Sequence, residues 1–222
     1  LGNALQEIGH DVTYITDQYT NDLITSIVGS NTKVIEFPIA DEKTSISIAN
    51  DLLNNLNPST IVSIERCGFT KEGLYRNMHG QDISKYNAKI DYLFLNHLAG
   101  GSTKTIGIGD GGNEIGMGNL ASVIPSIPSL VKLPCITSTT KTIISSVSNW
   151  GAYGLLSALS IIHETNLLPS VEDEKNLIKE MVNLGAVDGV SGKQDYRVDG
   201  FSLDENSNTL IKLHEYIENH LT

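Results

Sequence analysis

The stretch TIGIGDGGNEIGMG, residues 105–118, sets two carboxylates, Asp110 and Glu114, and one carboxamide, Asn113, among six glycines. Oxygen donors at this spacing suit a hard divalent cation, Mn2+ or Mg2+, and glycine lets the main chain close around it. Such a cation would offset the local negative charge and polarise a carboxyl or phosphoryl oxygen. Other readings compete. Gly107, Gly109 and Gly112 fit G-x-G-x-x-G after a predicted strand. Asp110, however, falls where backbone amides would cradle a pyrophosphate. No acid follows at the ribose-binding offset either, the next after Glu114 being Glu164. The Gly-Lys-Ser/Thr ending of a P-loop is missing too. The plainest alternative is a glycine-rich turn with solvated acids, or Asp and Asn capping a helix that starts near Gly112.

A second polar concentration is ERCGFTKEGLYRNMHG, residues 65–80. Glu65 is a candidate general base or metal ligand, and Arg66 or Arg76 a candidate bidentate clamp for a carboxylate. The alternative is a surface loop with incidental charges, and an exposed loop histidine is the simpler reading of His79. The third is SVSNWGAYG, where Ser148 or Asn149 can cap the following helix and its free N–H groups can attract a carboxylate. Trp150 reads as a packing anchor and His163 as a hydrogen-bonded structural histidine. Asp188 and Asp199, each followed by glycine, read as turn formers.

These residues need strands and helices to hold them. LGNALQEIGHDVTYITD reads as a helix stopped at Gly9-His10 and then a strand, which is the second half of a β-α-β unit; its first strand is expected upstream of Leu1. TKVIEFPI, STIVSIER and KTIGIG are predicted strands, and PCITSTT and TIISSVS weaker strand or loop candidates. Helices are predicted for SISIANDLLNNLN, ended by Pro58, and for DISKYNAKIDYLFLNHL, NWGAYGLLSALSIIHE, SVEDEKNLIKEMVNLG and NTLIKLHEYIENHL. Alternating strands and helices predict an α/β fold with a mainly parallel sheet flanked by helices, Rossmann-like, as one domain over residues 1–222. Ligands of such sheets bind beyond the carboxyl ends of the strands. Glu65-Arg66 and Asp110–Glu114 are therefore expected to face one crevice.

Composition narrows the partners. The chain has 222 residues, 40% hydrophobic and 18% charged, which fits a globular core. A net charge of −11 and the lack of a Lys/Arg cluster argue against nucleic acid. The apolar runs are too short to span a bilayer. Cys67 and Cys135 form no C-x-x-C pair, so neither a zinc ribbon nor a disulfide scaffold is expected.

Taken together, IERCG, YRNMHGQDIS, TIGIGDGGNEIGMG, SVSNWGAYGL, VDGVSG and the later VDG, in this order, resemble the D-glutamate cyclase family. The resemblance spans nearly the whole chain, and the glycine-aspartate-asparagine-glutamate run is its most specific part. Cys67 stands where the family pattern has proline, and Phe69 where it has a basic residue. The family's Asp-Gly-Pro-rich stretch before the first helix is not in this sequence. The resemblance implies a hydro-lyase converting D-glutamate to 5-oxo-D-proline and water, assisted by Mn2+ or Mg2+. Asp110 and Glu114 would hold the metal, Asn113 would orient the tetrahedral intermediate, and Glu65 would act as base or further ligand. Arg66 would grip a substrate carboxylate, with Asn77, Gly111, Gly112 and Asn149 also in the substrate-binding set. The partner expected is a small carboxylate, alongside homo-oligomers. The location expected is the cytoplasm for a microbial member and mitochondria for an animal one. A metal-dependent phosphoester hydrolase and a non-enzymatic carboxylate-binding protein are the alternatives.

Overall fold

β-branched side chains recur through TIVSI, KTIGIG and KTII, and such side chains suit the pleat of a buried sheet. These runs form β3 (Thr60–Ile64), β4 (Lys104–Gly109) and β5 (Lys141–Ile144), an open parallel sheet of order β3-β4-β5. Ile64 is in register with Ile108, so the carboxyl ends of β3 and β4 finish side by side. The structure, a computed structural model, describes residues 1–29, 31–95 and 102–221. Its architecture is α/β, with helices accompanying open parallel sheet in the Rossmann-like manner expected.

Two compact units make up the chain. In the unit of residues 15–21 and 35–148, α3 (Glu42–Leu56) is capped by Asp41, whose carboxylate accepts from Thr44 N–H at 2.8 Å. It ends at Asn57, which takes the left-handed conformation just before Pro58. The α3 side chains Ile48, Ala49, Leu52 and Leu53 pack with Phe37, Ile61 of β3, Ile90 and Phe94. A smaller cluster of Met117, Ile124, Val131 and Cys135 lies under the loops that follow β4.

In the other unit, of residues 1–14, 22–34 and 149–222, α1 (Gly2–Glu7), α5 (Ser148–Ile162, from Asn149 onward), α6 (Val171–Asn183) and α7 (Leu203–Glu218) supply the helices. They bury Ala4, Leu156, Leu167, Leu210 and Ile217 together. Helix α6 starts at Ser170, which caps Asp173 N–H, and α7 at Ser202 in a capping box with Glu205. Trp150 is the anchor expected: its Nε1–H donates to Asn206 Oδ1 at 2.8 Å and its ring lies 4.9 Å from that of Phe201. β6 (Arg197–Val198) and β7 (Phe201–Ser202) form a hairpin, with Asp199 and Gly200 at positive φ as an Asp-Gly turn demands. The two-residue strands and α2 (Asn21–Ile27) carry too little pattern to be predicted. β1 (Thr13–Thr16) and β2 (Lys33–Glu36), both expected, pair as a two-stranded sheet.

Two expectations change. The single helix predicted over residues 82–98 is instead a 3-10 turn (Ser84–Tyr86), a connection, and the short α4 (Asp91–Leu95); residues 96–98 lie outside the described residues. Tertiary bonds override helix propensity here. Lys89 Nζ reaches Ala40 O at 2.7 Å, and Asp91 is drawn into a buried cluster described below. His163, read as a hydrogen-bonded structural histidine within the helix, lies exposed one residue past the end of α5. Among the described residues no helix is long and apolar enough to cross a membrane.

Candidate functional site at the ends of β3 and β4

The glycine run does not lead into an α-helix. After β4 it turns through residues 110–116 into a 3-10 turn at Met117–Leu120, which removes the helix a dinucleotide site requires. It also removes the helix that Asp and Asn might have capped. The turn is stitched on both sides. Gly68 N–H donates to Asn113 O and Ile115 N–H to Arg66 O, both at 2.8 Å, and Cys135 N–H donates to Gly112 O at 2.9 Å. Gly107 is needed for this closeness, since a Cβ there would stand 2.4 Å from Ile115 O. Gly112 has φ +100°, a conformation that side chains resist.

Glu114 is only 3% exposed, and its carboxylate holds its own loop. Oε1 accepts from Gly111 N–H and Oε2 from Gly112 N–H, each at 2.8 Å, with Asp110 N–H at 3.4 Å. Burial pushes its pKa up; the amide bonds act against this and the charge of Asp110 adds to it. With both oxygens in use, Glu114 shapes the loop that presents Asp110.

Asp110 is half-buried and differently placed. Its Oδ2 accepts from both the N–H and the hydroxyl of Ser148, each at 2.9 Å. Ser148 is the first residue of α5, so Asp110 itself takes the place expected for a bound carboxylate at that amide. Asn149 occupies the second position of α5. Glu65, the residue after β3, is exposed and carries a left-handed backbone, φ 52°. Its N–H extends the ladder to Ile108 O at 2.9 Å. Carboxylate oxygens of Glu65 and Asp110 lie within 4.8 Å of each other, which brings the two polar strand ends together as the fold rule predicts.

Two carboxylates that close repel unless a cation, a shared proton or an ammonium group stands between them. Their oxygen donors fit a hard divalent cation. They fit a primary ammonium equally well.

The other expected residues are held in place by their neighbours. Arg66 Nη2 pairs with the buried Asp17 at 2.7 Å and donates to Ala88 O at 3.1 Å, so a substrate carboxylate would have to win it from Asp17. Asn77 Oδ1 accepts from His79 N–H and Gln81 N–H, and its Nδ2 donates to Gln81, which makes it the organiser of the 77–81 turn. Asn113 Nδ2 donates to Arg76 O at 3.1 Å, tying the two polar loops together. His79 is exposed, as the simpler reading had it. Gly111 and Gly112 offer their amides to Glu114.

Beneath these loops sits Asp91, fully buried and unforeseen. It accepts from Tyr75 Oη at 2.6 Å, Thr137 Oγ1 at 2.5 Å and Phe69 N–H at 3.2 Å. Burial raises its pKa against those three donors. An acid in the middle of the apolar run KIDYLF was the available signal. Phe69, where a basic residue was expected, packs against the rings of Tyr75 and Tyr92 at 6.2 and 6.0 Å. Both cysteines are free, and burial pushes the Cys67 thiol up to about 11 and the Cys135 thiol higher still. At neutral pH both are protonated thiols, poor nucleophiles.

Comparison with known proteins gives two matches. Residues 1–214 match the family described as "D-glutamate cyclase-like, C-terminal". The chain is also 29% identical over 231 aligned positions to the human protein named "D-glutamate cyclase, mitochondrial". That alignment covers 88% of this chain and 38% of the human one. With these strand ends, this glycine loop and that match, the chain belongs to the D-glutamate cyclase-like, C-terminal family.

Proposed function

We propose that the chain catalyses closure of D-glutamate to 5-oxo-D-proline, with the Glu65–Asp110 pair as its working groups. The observation that carries the reading is the placement of these carboxylates within 4.8 Å of each other beyond adjacent parallel strands. D-Glutamate offers an ammonium group for that gap. A proton must leave the nitrogen before its lone pair can attack the γ-carboxyl carbon, and Glu65, exposed at the strand end, is the base. Asp110, held by two donors from Ser148, keeps the ammonium in position. As the C–N bond forms and a C–O bond breaks, nitrogen gives up two protons and the departing oxygen takes up two to leave as water. The carboxylates carry these protons and are unchanged at the end of the turnover.

A divalent cation, Mn2+ or Mg2+, held by Asp110 and Glu65 would supply Lewis-acid polarisation of the γ-carboxyl when bound. Glu114 fits a different task, because its oxygens already hold the amides of Gly111 and Gly112.

The test is production of 5-oxoproline from each enantiomer of glutamate, with and without added Mn2+ or Mg2+. The reading expects turnover of the D enantiomer at least tenfold above the L. It fails if neither enantiomer yields product under any of these conditions.

A further inference from the structure

Against the glycine loop, residues 76–80 and 130–133 enclose a cavity of about 220 Å3. Its titratable lining consists of Arg76, His79 and Lys132, without a carboxylate. In a chain of net charge −11 that sign runs against the background. Local groups, more than net charge, decide what a small cavity holds. The cavity wall adjoins the proposed site: Val131 N–H donates to Gly111 O at 3.4 Å, and a Cβ at Gly111 would stand 2.2 Å from Met78 Sδ.

The cations are oriented without being saturated. Arg76 Nη1 donates to Gly80 O and Nη2 pairs with Glu72, both at 2.8 Å, which fixes the guanidinium plane. Its Nε is buried without a hydrogen-bond partner. Lys132 Nζ donates to Pro125 O and Ile127 O at 3.1 Å, leaving the third of its protons for another acceptor. An anion set against these two cations would be held through charge-assisted bonds. The rest of the wall is aliphatic, from Leu130, Val131 and Leu133. The volume lies below the ~300 Å3 at which sites for drug-sized ligands begin.

We infer that this cavity binds the carboxylate of a small aliphatic acid, with Arg76 and Lys132 as its hydrogen-bond donors. The inference does not depend on the cyclase reading, because binding is measured here without turnover. The test is an NMR titration of the whole chain with glutarate, and with glutaramide as the uncharged counterpart. Glutarate should bind at least tenfold tighter than glutaramide. Arg76→Gln should weaken glutarate at least tenfold. Leu133→Glu, at a residue 45% exposed, places a carboxylate in the cavity without deleting a bond and should do the same. Asp110→Asn, which disables the proposed chemistry, should leave glutarate binding within twofold. Equal binding of the two ligands would overturn the inference. So would glutarate binding at full strength to either folded cavity variant, or its loss in Asp110→Asn.

Discussion

Glu114 and Asp188 meet the same local problem, and their pKa values move in opposite directions. Each is a buried acid in a glycine-rich turn, and each accepts from backbone amides: Gly111, Gly112 and, at 3.4 Å, Asp110 for Glu114, Ser191 and Gly200 for Asp188. Burial raises both pKa values. At Asp188 it is outweighed by the Gly200 and Ser191 amides, the Ser191 hydroxyl and the charge of Arg197, so the pKa ends below the usual carboxylate range. At Glu114 burial wins, and the neighbouring charge is the like one of Asp110. Amide bonds alone therefore do not settle which way a turn carboxylate shifts; the sign of the neighbouring charge weighs on it, Asp110 at one and Arg197 at the other. One turn is a structural knot. The other is kept under electrostatic tension beside Glu65 and Asp110, where a cationic ligand would relieve it.

Deleting the carboxylates separates these cases most strongly. Glu114→Ala leaves the Gly111 and Gly112 amides buried and unpaired, a loss of about 3 kcal/mol in chemical denaturation. Asp188→Ala removes the matching bonds from a turn whose next residues are exposed and open to water, and should cost about 1–2 kcal/mol. Equal losses would mean that the surroundings do not matter.

A pH series sharpens the contrast by sign. Glu114 has a raised folded pKa, so its contribution is complete below the ordinary glutamate value of about 4.3 and is lost as pH rises toward the folded one. Asp188 has a lowered one, so its contribution is present above about 3.9 and is lost as pH falls. Urea midpoints in chelator should therefore show Glu114→Gln gaining on the parent chain as pH climbs from about 4 to 7. Asp188→Asn should gain on it as pH drops below about 4. The same sign for both would break the comparison. The smallest effect is expected from Gly111→Ala. The new methyl group would meet the flexible end of Met78 at 2.2 Å and Asn113 Oδ1 at 3.2 Å, and the unfolding free energy should shift by less than about 1 kcal/mol.

Much of this could be read from residue types. The β-branched runs marked β3 and β4 and, more weakly, β5, and the strand-end rule set Glu65-Arg66 and Asp110–Glu114 at one crevice, where Glu65 and Asp110 come together. The Asp-Gly pair at Asp199-Gly200 marked its hairpin turn. What stayed hidden depends on partners distant in sequence. Arg66 looked available until Asp17, 49 residues earlier, was seen to hold it. Ser148 read as a helix cap, while its N–H and hydroxyl both serve Asp110. The helix predicted over residues 82–98 failed because its pattern takes no account of Asp91, whose acceptors are met by Tyr75, Thr137 and Phe69 from other segments.

The central claim is that Glu65 and Asp110 work as one unit on the amine of D-glutamate. Single-turnover formation of 5-oxoproline by the parent chain, Glu65→Gln, Asp110→Asn and the double variant tests it directly. The account predicts that each single change lowers the rate by about 100-fold or more and that the double change adds less than about tenfold to the larger of the two. A single variant within threefold of the parent, or losses that simply multiply, would contradict it.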